Sequence, residues 1–306
     1  MSGTTTRVVL VGALSAALFG CGAGREAAWD TTPEEETAQP RTQEEISRKD
    51  ALVQEADALW AERGDEAKLA AAIQKWEQAA ELDPADHTLW VRLARAYYFH
   101  ADGHMSFDEA RQDEMMETFE KGIQASERSL VALSPDFAQR MRAGTRIEEA
   151  VAVLDAQAVP ALYWRSSNMG KWGLAKGFAT VLSYKDEIRA IMARCLELDA
   201  TYFYYGPHRY FGAFYARVPA FAGGDLERSR EHFDTALEAA PNYLGTRTLY
   251  AEHYAVKSQD RALFDQHLNA VLAADVAQLP EDVRPENTIE QRRARDLLAK
   301  ADELFE

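Results

Sequence analysis

From Ile46 onward, apolar residues recur every three to four positions and no stretch alternates strictly, so the pattern predicts helices throughout and no strand. The helices come in pairs, and a signature marks the second member. Ala72, Trp76, Ala79 and Pro84 lie in AAIQKWEQAAELDP; Ser229, Phe233, Ala236 and Pro241 lie in SREHFDTALEAAP at the same offsets. Ile191–Asp199 and Gln124–Pro135 are looser copies. Small residues let two helices approach, the ring fills the groove, and proline stops the helix. This is the second-helix pattern of tetratricopeptide repeats, but the intervals between repeat ends are unequal and all exceed a regular repeat. The expectation is one all-α domain over 46–306, a helical-pair array of degenerate tetratricopeptide-like repeats curved around a concave side.

In detail, Asp83–Asp86 should start a helix through Leu89, Trp90, Leu93 and Tyr97. Residues 108–133 read as one long amphipathic helix or a pair. Residues 150–162 read as a central helix, apolar almost all round. Helices over 184–198, 225–240, 244–257, 261–273 and 288–305 complete the chain.

The first twenty residues follow another logic. Arg7 precedes an apolar run of twelve, Val8 to Phe19, too short to span a bilayer. It ends Leu18-Phe19-Gly20-Cys21, which resembles the lipobox of bacterial lipoproteins, with Cys21 as the lipidated residue after removal of 1–20. An ordinary secretory signal with an incidental cysteine is the other reading. No aspartate follows Cys21, which by resemblance to lipoprotein sorting points to the outer membrane. Acyl chains on Cys21 would hold the protein on the membrane. Residues 21–45 are small, acidic and proline-dotted, and read as a flexible tether. The one other cysteine, Cys195, sits in an apolar helical pattern and reads as a buried small hydrophobe.

A formal charge of −16 and the lack of a basic stripe argue against nucleic acid as a partner. The run Arg292-Arg293-Ala294-Arg295 is flanked by acids and reads as a solvated helix face. No catalytic, cofactor or metal motif is present in the sequence, so an enzyme is not expected. His100 and His104 are four apart with Asp102 between them, but Gly103 interrupts the helix and no third ligand is evident.

Two ring-rich stretches remain. In TYFYYGPHRYFGAFYARVPAFAGGD (201–225), Gly206-Pro207 reads as a helix start that places Tyr210, Phe211, Phe214 and Tyr215 on one face. Gly212 should admit a neighbouring backbone, Gly223-Gly224 should turn the chain, and Asp225 should cap the next helix. In AVPALYWRSSNMGKWGLAKGF (158–178), Tyr163 and Trp164 should follow a helix, with Trp172 among glycines. The rings are either packed core or the wall of an apolar cavity lined by Tyr163, Trp164, Trp172, Tyr204, Tyr210, Phe214 and Tyr215. Asn168, Lys171 and Arg209 would be its polar groups. A buried Arg209 calls for an acidic partner or a ligand anion.

These stretches resemble the TatT component of tripartite ATP-independent periplasmic (TRAP) transporter systems. The resemblance is carried by Ala161–Trp164 with Asn168, Gly170, Lys171 and Trp172, and by Gly206, Arg209, Tyr210, Gly212 and Tyr215. Pro219, Gly223-Gly224-Asp225, Phe233–Leu237, Pro285-Glu286-Asn287 and the terminal Asp302–Phe305 extend it over roughly 46–306. It implies a periplasm-facing lipoprotein of the bacterial cell envelope with cryptic tetratricopeptide repeats, able to form a homotrimer. It would dock the substrate-binding P component and hold or pass a small hydrophobic or carboxylated ligand, with no cofactor. The alternative from the repeats alone is a scaffold lipoprotein that binds envelope proteins and no small molecule.

Overall fold

The computed structural model describes residues 25–31 and 41–305, and no strand occurs among them. In chain order the helices are α1 (Ala28–Thr31), α2 (Gln43–Ala61), α3 (Glu66–Leu82), α4 (His87–Phe99), α5 (Gln112–Leu133), α6 (Pro135–Arg142), α7 (Ile147–Ala150) and α8 (Val159–Lys176). Then come α9 (Phe178–Leu198), α10 (Tyr202–Arg217), α11 (Leu226–Ala239), α12 (Gly245–Leu249), α13 (Arg261–Ala273), α14 (Arg284–Ala299) and α15 (Ala301–Leu304). The fold is all-α. Short polar side chains define many of the starts. Thr42 and Glu45 form a reciprocal capping box on α2, and Asp65, Asp86, Ser134, Asp225 and Asp260 each accept from free N–H groups of the helix that follows.

Helices pack most extensively as α2 with α3, α4 with α5 and α5 with α8, followed by the consecutive pairs α10 with α11 and α8 with α9. The signature positions explain why. Ala72, Trp76 and Ala79 are buried, as are Ser229, Phe233 and Ala236. A Cβ on Gly212 would sit 2.7 Å from the Phe233 ring. Gly212 therefore admits the repeat's ring, not a backbone. Ser229 locks the approach by donating to the Gly212 carbonyl at 2.7 Å. Burial of each such ring contributes about 2–3 kcal/mol. Cys195 is fully buried, and burial pushes its thiol pKa up.

Several expectations need correction. The central helix expected over 150–162 is a series of short turns, because Leu154 and Asp155 are extended and α8 starts only at Val159. Tyr163 and Trp164 thus lie within a helix, not after one. The 108–133 segment begins with a tight turn, Glu109–Arg111, before α5. Residues 250–255 widen into a π-type turn after α12, and α14 begins at Arg284. Part of the stretch read as a tether is packed: Trp29 is buried edge-on against Phe137 at 6.0 Å, with the Arg165 guanidinium 5.0 Å above it. The buried Glu127 carboxylate holds this segment, accepting from the Ala28 N–H at 2.8 Å and pairing with Arg25 and Arg165. Cys21 and residues 1–20 lie outside the described residues.

Candidate functional site

The start of α10 departs furthest from regular geometry. Phe203, Tyr204 and Tyr205 are all left-handed, with φ of 46°, 58° and 60°. L-residues pay roughly 1–2 kcal/mol each for this conformation. The regular helix resumes at Gly206-Pro207, where the sequence placed its start. What offsets the strain is Arg209, one turn on and buried. Its Nη2 donates to the Phe203 carbonyl at 2.7 Å and its Nη1 to the Tyr204 carbonyl. Its guanidinium lies 4.2 Å above the Tyr243 ring. No acidic partner meets Arg209 among the described residues; backbone carbonyls of the turn take that place.

This turn forms part of the wall of a cavity of about 330 Å³ between α4, α8, α9, α10 and the C-terminal α12 and α14. Aromatic walls come from Tyr98, Phe99, Tyr163, Trp164, Phe203, Tyr210, Phe214 and Tyr243. The rings meet edge to face, Trp164 to Phe203 at 4.8 Å and Tyr163 to Trp164 at 5.0 Å. Leu174, Val181, Ile188, Met192 and Val218 extend the apolar lining on one side. Six lining residues are Lys or Arg and four are Asp or Glu, in a chain of formal charge −16.

The charges are arranged in two groups. Glu286 accepts from Arg63 at 2.6 Å and from Arg95 at 2.9 Å. Two turns further along α14, Arg293 meets Asp102 at 3.1 Å, and Asp102 also meets Lys171 at 2.6 Å. Burial disfavours the ionised Asp102, yet Arg293 and Lys171 outweigh it and hold the carboxyl well below the ordinary range. Glu290 gives one oxygen to Arg293 at 2.9 Å. Its Oε2 is buried without a partner, as are Ser166 Oγ and Arg95 Nε, all from lining residues.

Of the residues singled out from sequence, Tyr163, Trp164, Lys171, Arg209, Tyr210 and Phe214 come together on this wall. The other four lie elsewhere. Asn168 is fully buried and ties α8 to α4, donating to the Ala94 carbonyl at 3.1 Å and the Trp164 carbonyl at 2.8 Å. Trp172 packs against Tyr184 in a separate apolar cluster. Tyr204 stacks on the outer side of Tyr243 at 5.3 Å and donates its hydroxyl to Asp282 at 2.6 Å. Tyr215 points to the other face of α10, stacked on His232 at 5.7 Å beneath Arg228.

Arg95, Asp102, Tyr243, Glu286, Glu290 and Arg293 were not anticipated. A signal existed for α14: Glu286, Glu290 and Arg293 recur at helical spacing. Arg293, read as solvated, is instead 15% exposed and faces the cavity. His100 and His104 occupy a π-type turn, where His100 meets Glu66 at 3.0 Å and His104 the Arg63 carbonyl at 3.0 Å.

Three imidazoles are lowered from 6.5 to about 4, chiefly by burial: His232, His253 and His267. Glu252 beside His253 and Asp234 near His267 oppose the shift; Arg217, Lys171 and Arg293 around His253, Arg247 by His267, and His208 and Arg228 by His232 reinforce it. The unfolded chain takes up these protons first. Stability is therefore expected to be full above pH 6.5 and to fall toward pH 4, by up to about 1.4 kcal/mol per pH unit for His253 and His267 and by less for the half-buried His232, which solvent screens. Urea unfolding at pH 7 and pH 5 checks this; coincident midpoints would contradict it.

No described helix is long and apolar enough to cross a membrane. The fold and cavity together define an all-helical protein with a half-open, aromatic, cation-rich cavity between its helices. Residues 63–305 match the model of the TRAP transporter T-component, more than three quarters of the chain, and the chain belongs to that family. It is an accessory component of TRAP transporters. No curated protein matches it.

Proposed function

We propose that this T-component holds or passes a small ligand with an apolar body and a carboxylate in the cavity beside Arg209. The observation that carries the reading is the pairing of aromatic walls with two lining donors that lack partners, Ser166 Oγ and Arg95 Nε. Buried polar atoms are normally satisfied, so these positions favour an occupant that supplies the missing bonds. Among the described residues Arg209 meets no carboxylate, and a ligand carboxylate can add to its present contacts.

Membership of the family adds the rest of the proposal. The chain serves as a periplasm-facing lipoprotein, anchored through Cys21 and sorted to the outer membrane. It docks the substrate-binding P component, assembles as a trimer of tetratricopeptide-like subunits, and catalyses no reaction.

Tryptophan fluorescence tests the cavity, because Trp164 lines it. Titration with medium-chain fatty acids should give saturable change in the wild type. Gly206→Leu should abolish it while far-UV dichroism is unchanged, since even a Cβ there would sit 2.5 Å from the Tyr163 ring and push it inward. No saturable response in the wild type would sink the reading.

A further inference from the structure

The regular part of α10, from Gly206 to Arg217, gives the cavity one continuous stripe. Arg209, Tyr210, Ala213, Phe214 and Arg217 all line it, at spacings that bring side chains to one helix face. An arginine stands at each end of the stripe, and aromatic and aliphatic surface lies between them. Tyr210 and Phe214 stack at 5.9 Å, and the small Ala213 beside them leaves room. Arg209 is buried and marks the inner end; Arg217 is exposed and marks the rim.

These two cations differ from the others around the cavity. Asp102 takes Lys171 and Arg293, Glu286 takes Arg95, and Lys185 reaches Asp186 at 2.8 Å. Arg209 meets only uncharged oxygens among the described residues, the Phe203 and Tyr204 carbonyls and the Tyr163 hydroxyl. These contacts use three of the five N–H groups that a guanidinium carries. The Arg217 side chain makes no hydrogen bond or ion pair among the described residues; Glu252 and His253 feel its charge without pairing to it. As the last residue of α10, Arg217 also suits the negative end of the helix dipole, but that role asks nothing of the cavity.

The spacing sets a length. Eight residues separate the two arginines, which is about 12 Å of helix axis. An extended hydrocarbon chain advances about 1.3 Å for each carbon–carbon bond of about 1.5 Å, so about nine bonds cover the same span. A single carboxylate reaches one arginine and leaves the other without an anion.

We propose that the cavity takes an anion at each end: an α,ω-dicarboxylate of about ten carbons, with one carboxylate on Arg209, the other on Arg217 and the methylenes over Tyr210, Ala213 and Phe214. This names the ligand class of the cavity proposed above and rests on that reading.

The test follows Trp164 fluorescence of the full chain in lipid nanodiscs, with protein-free discs as the blank. Decanoate and decanedioate are titrated in parallel. Decanedioate should bind about tenfold tighter, the gain from a second charge-assisted contact at an exposed rim. Arg217→Gln should erase that advantage and leave decanoate unchanged, while Arg217→Lys should keep most of it. A helix-dipole role alone would move neither ratio. Among diacids, decanedioate should bind tighter than both hexanedioate and tetradecanedioate. Equal or weaker binding of decanedioate than of decanoate overturns the proposal and leaves the monocarboxylate cavity standing. Equal loss of both acids in Arg217→Gln also overturns it, since one carboxylate would then sit at the rim alone. So does affinity that climbs steadily with diacid length, which is what burial of methylenes gives without a second anchor. If neither acid saturates, the cavity reading itself fails and this proposal falls with it.

Discussion

Replacing Arg209 with alanine is expected to destabilise the protein by about 3 kcal/mol, among the largest effects of any single substitution outside the apolar core. Arg209 is the donor to two carbonyls, those of Phe203 and Tyr204, in a turn whose three residues are already strained. Buried acceptors left without donors cost about 1–3 kcal/mol each, with partial relief if water enters from the cavity. Loss of the contact with Tyr243 at 4.2 Å adds about 1 kcal/mol. Arg209→Lys should recover only a minor part, since an ammonium on a single stem cannot reproduce the planar fork that reaches both carbonyls. Urea denaturation with a wild-type slope measures the difference. A loss under about 0.5 kcal/mol would mean that the turn holds its shape without this side chain.

Glu127→Ala should cost about 3–5 kcal/mol, the usual penalty for removing one partner of a buried ion pair. Glu127 is fully buried and joins Arg25, the Ala28 N–H and Arg165. Without it Arg165 keeps Glu187 as its carboxylate, while Arg25 and the Ala28 amide lose theirs. The loss should also be local. The segment carrying Trp29 would detach, and trypsin should cleave at Arg25 much faster than in the wild type under conditions where the body remains folded. If cleavage at Arg25 is unchanged, the ion pairs are not what keeps the segment docked. Glu127→Gln separates charge from shape, because an amide can still accept from Ala28 but does not neutralise Arg165.

The helical framework was legible because its determinants are local. Trp76 and Phe233 stand at fixed offsets from small residues and a terminal proline, and that spacing alone implies a paired helix. Asp86 and Asp225 announced their helices for the same reason: a cap acts on amides two or three residues away. The aromatic half of the cavity was partly legible too, since Tyr163, Trp164, Tyr210 and Phe214 sit in two dense runs. Its charged half was not. Glu286 meets Arg63 across 223 positions and Arg95 across 191, and nothing in either local sequence specifies that register. Asp102 and Arg293 are separated just as far. Residues 150–162 misled for a simpler reason: apolar composition without a clear period cannot distinguish a helix from a set of buried turns. Tyr215 was misassigned because a helix of rings has more than one apolar side, and sequence does not say which side meets the void.

The left-handed turn at Phe203–Tyr205 bears on how the chain acquires its structure. Its own residues prefer the opposite hand, so nothing within the segment can nucleate it. Its shape is imposed by Arg209 and by Tyr243, which lies 34 positions beyond Arg209. The C-terminal helices must therefore arrive before the turn can settle, and the chamber wall is among the last parts of the molecule to mature. A nascent chain released before Tyr243 would carry the four helix pairs with an unfinished wall.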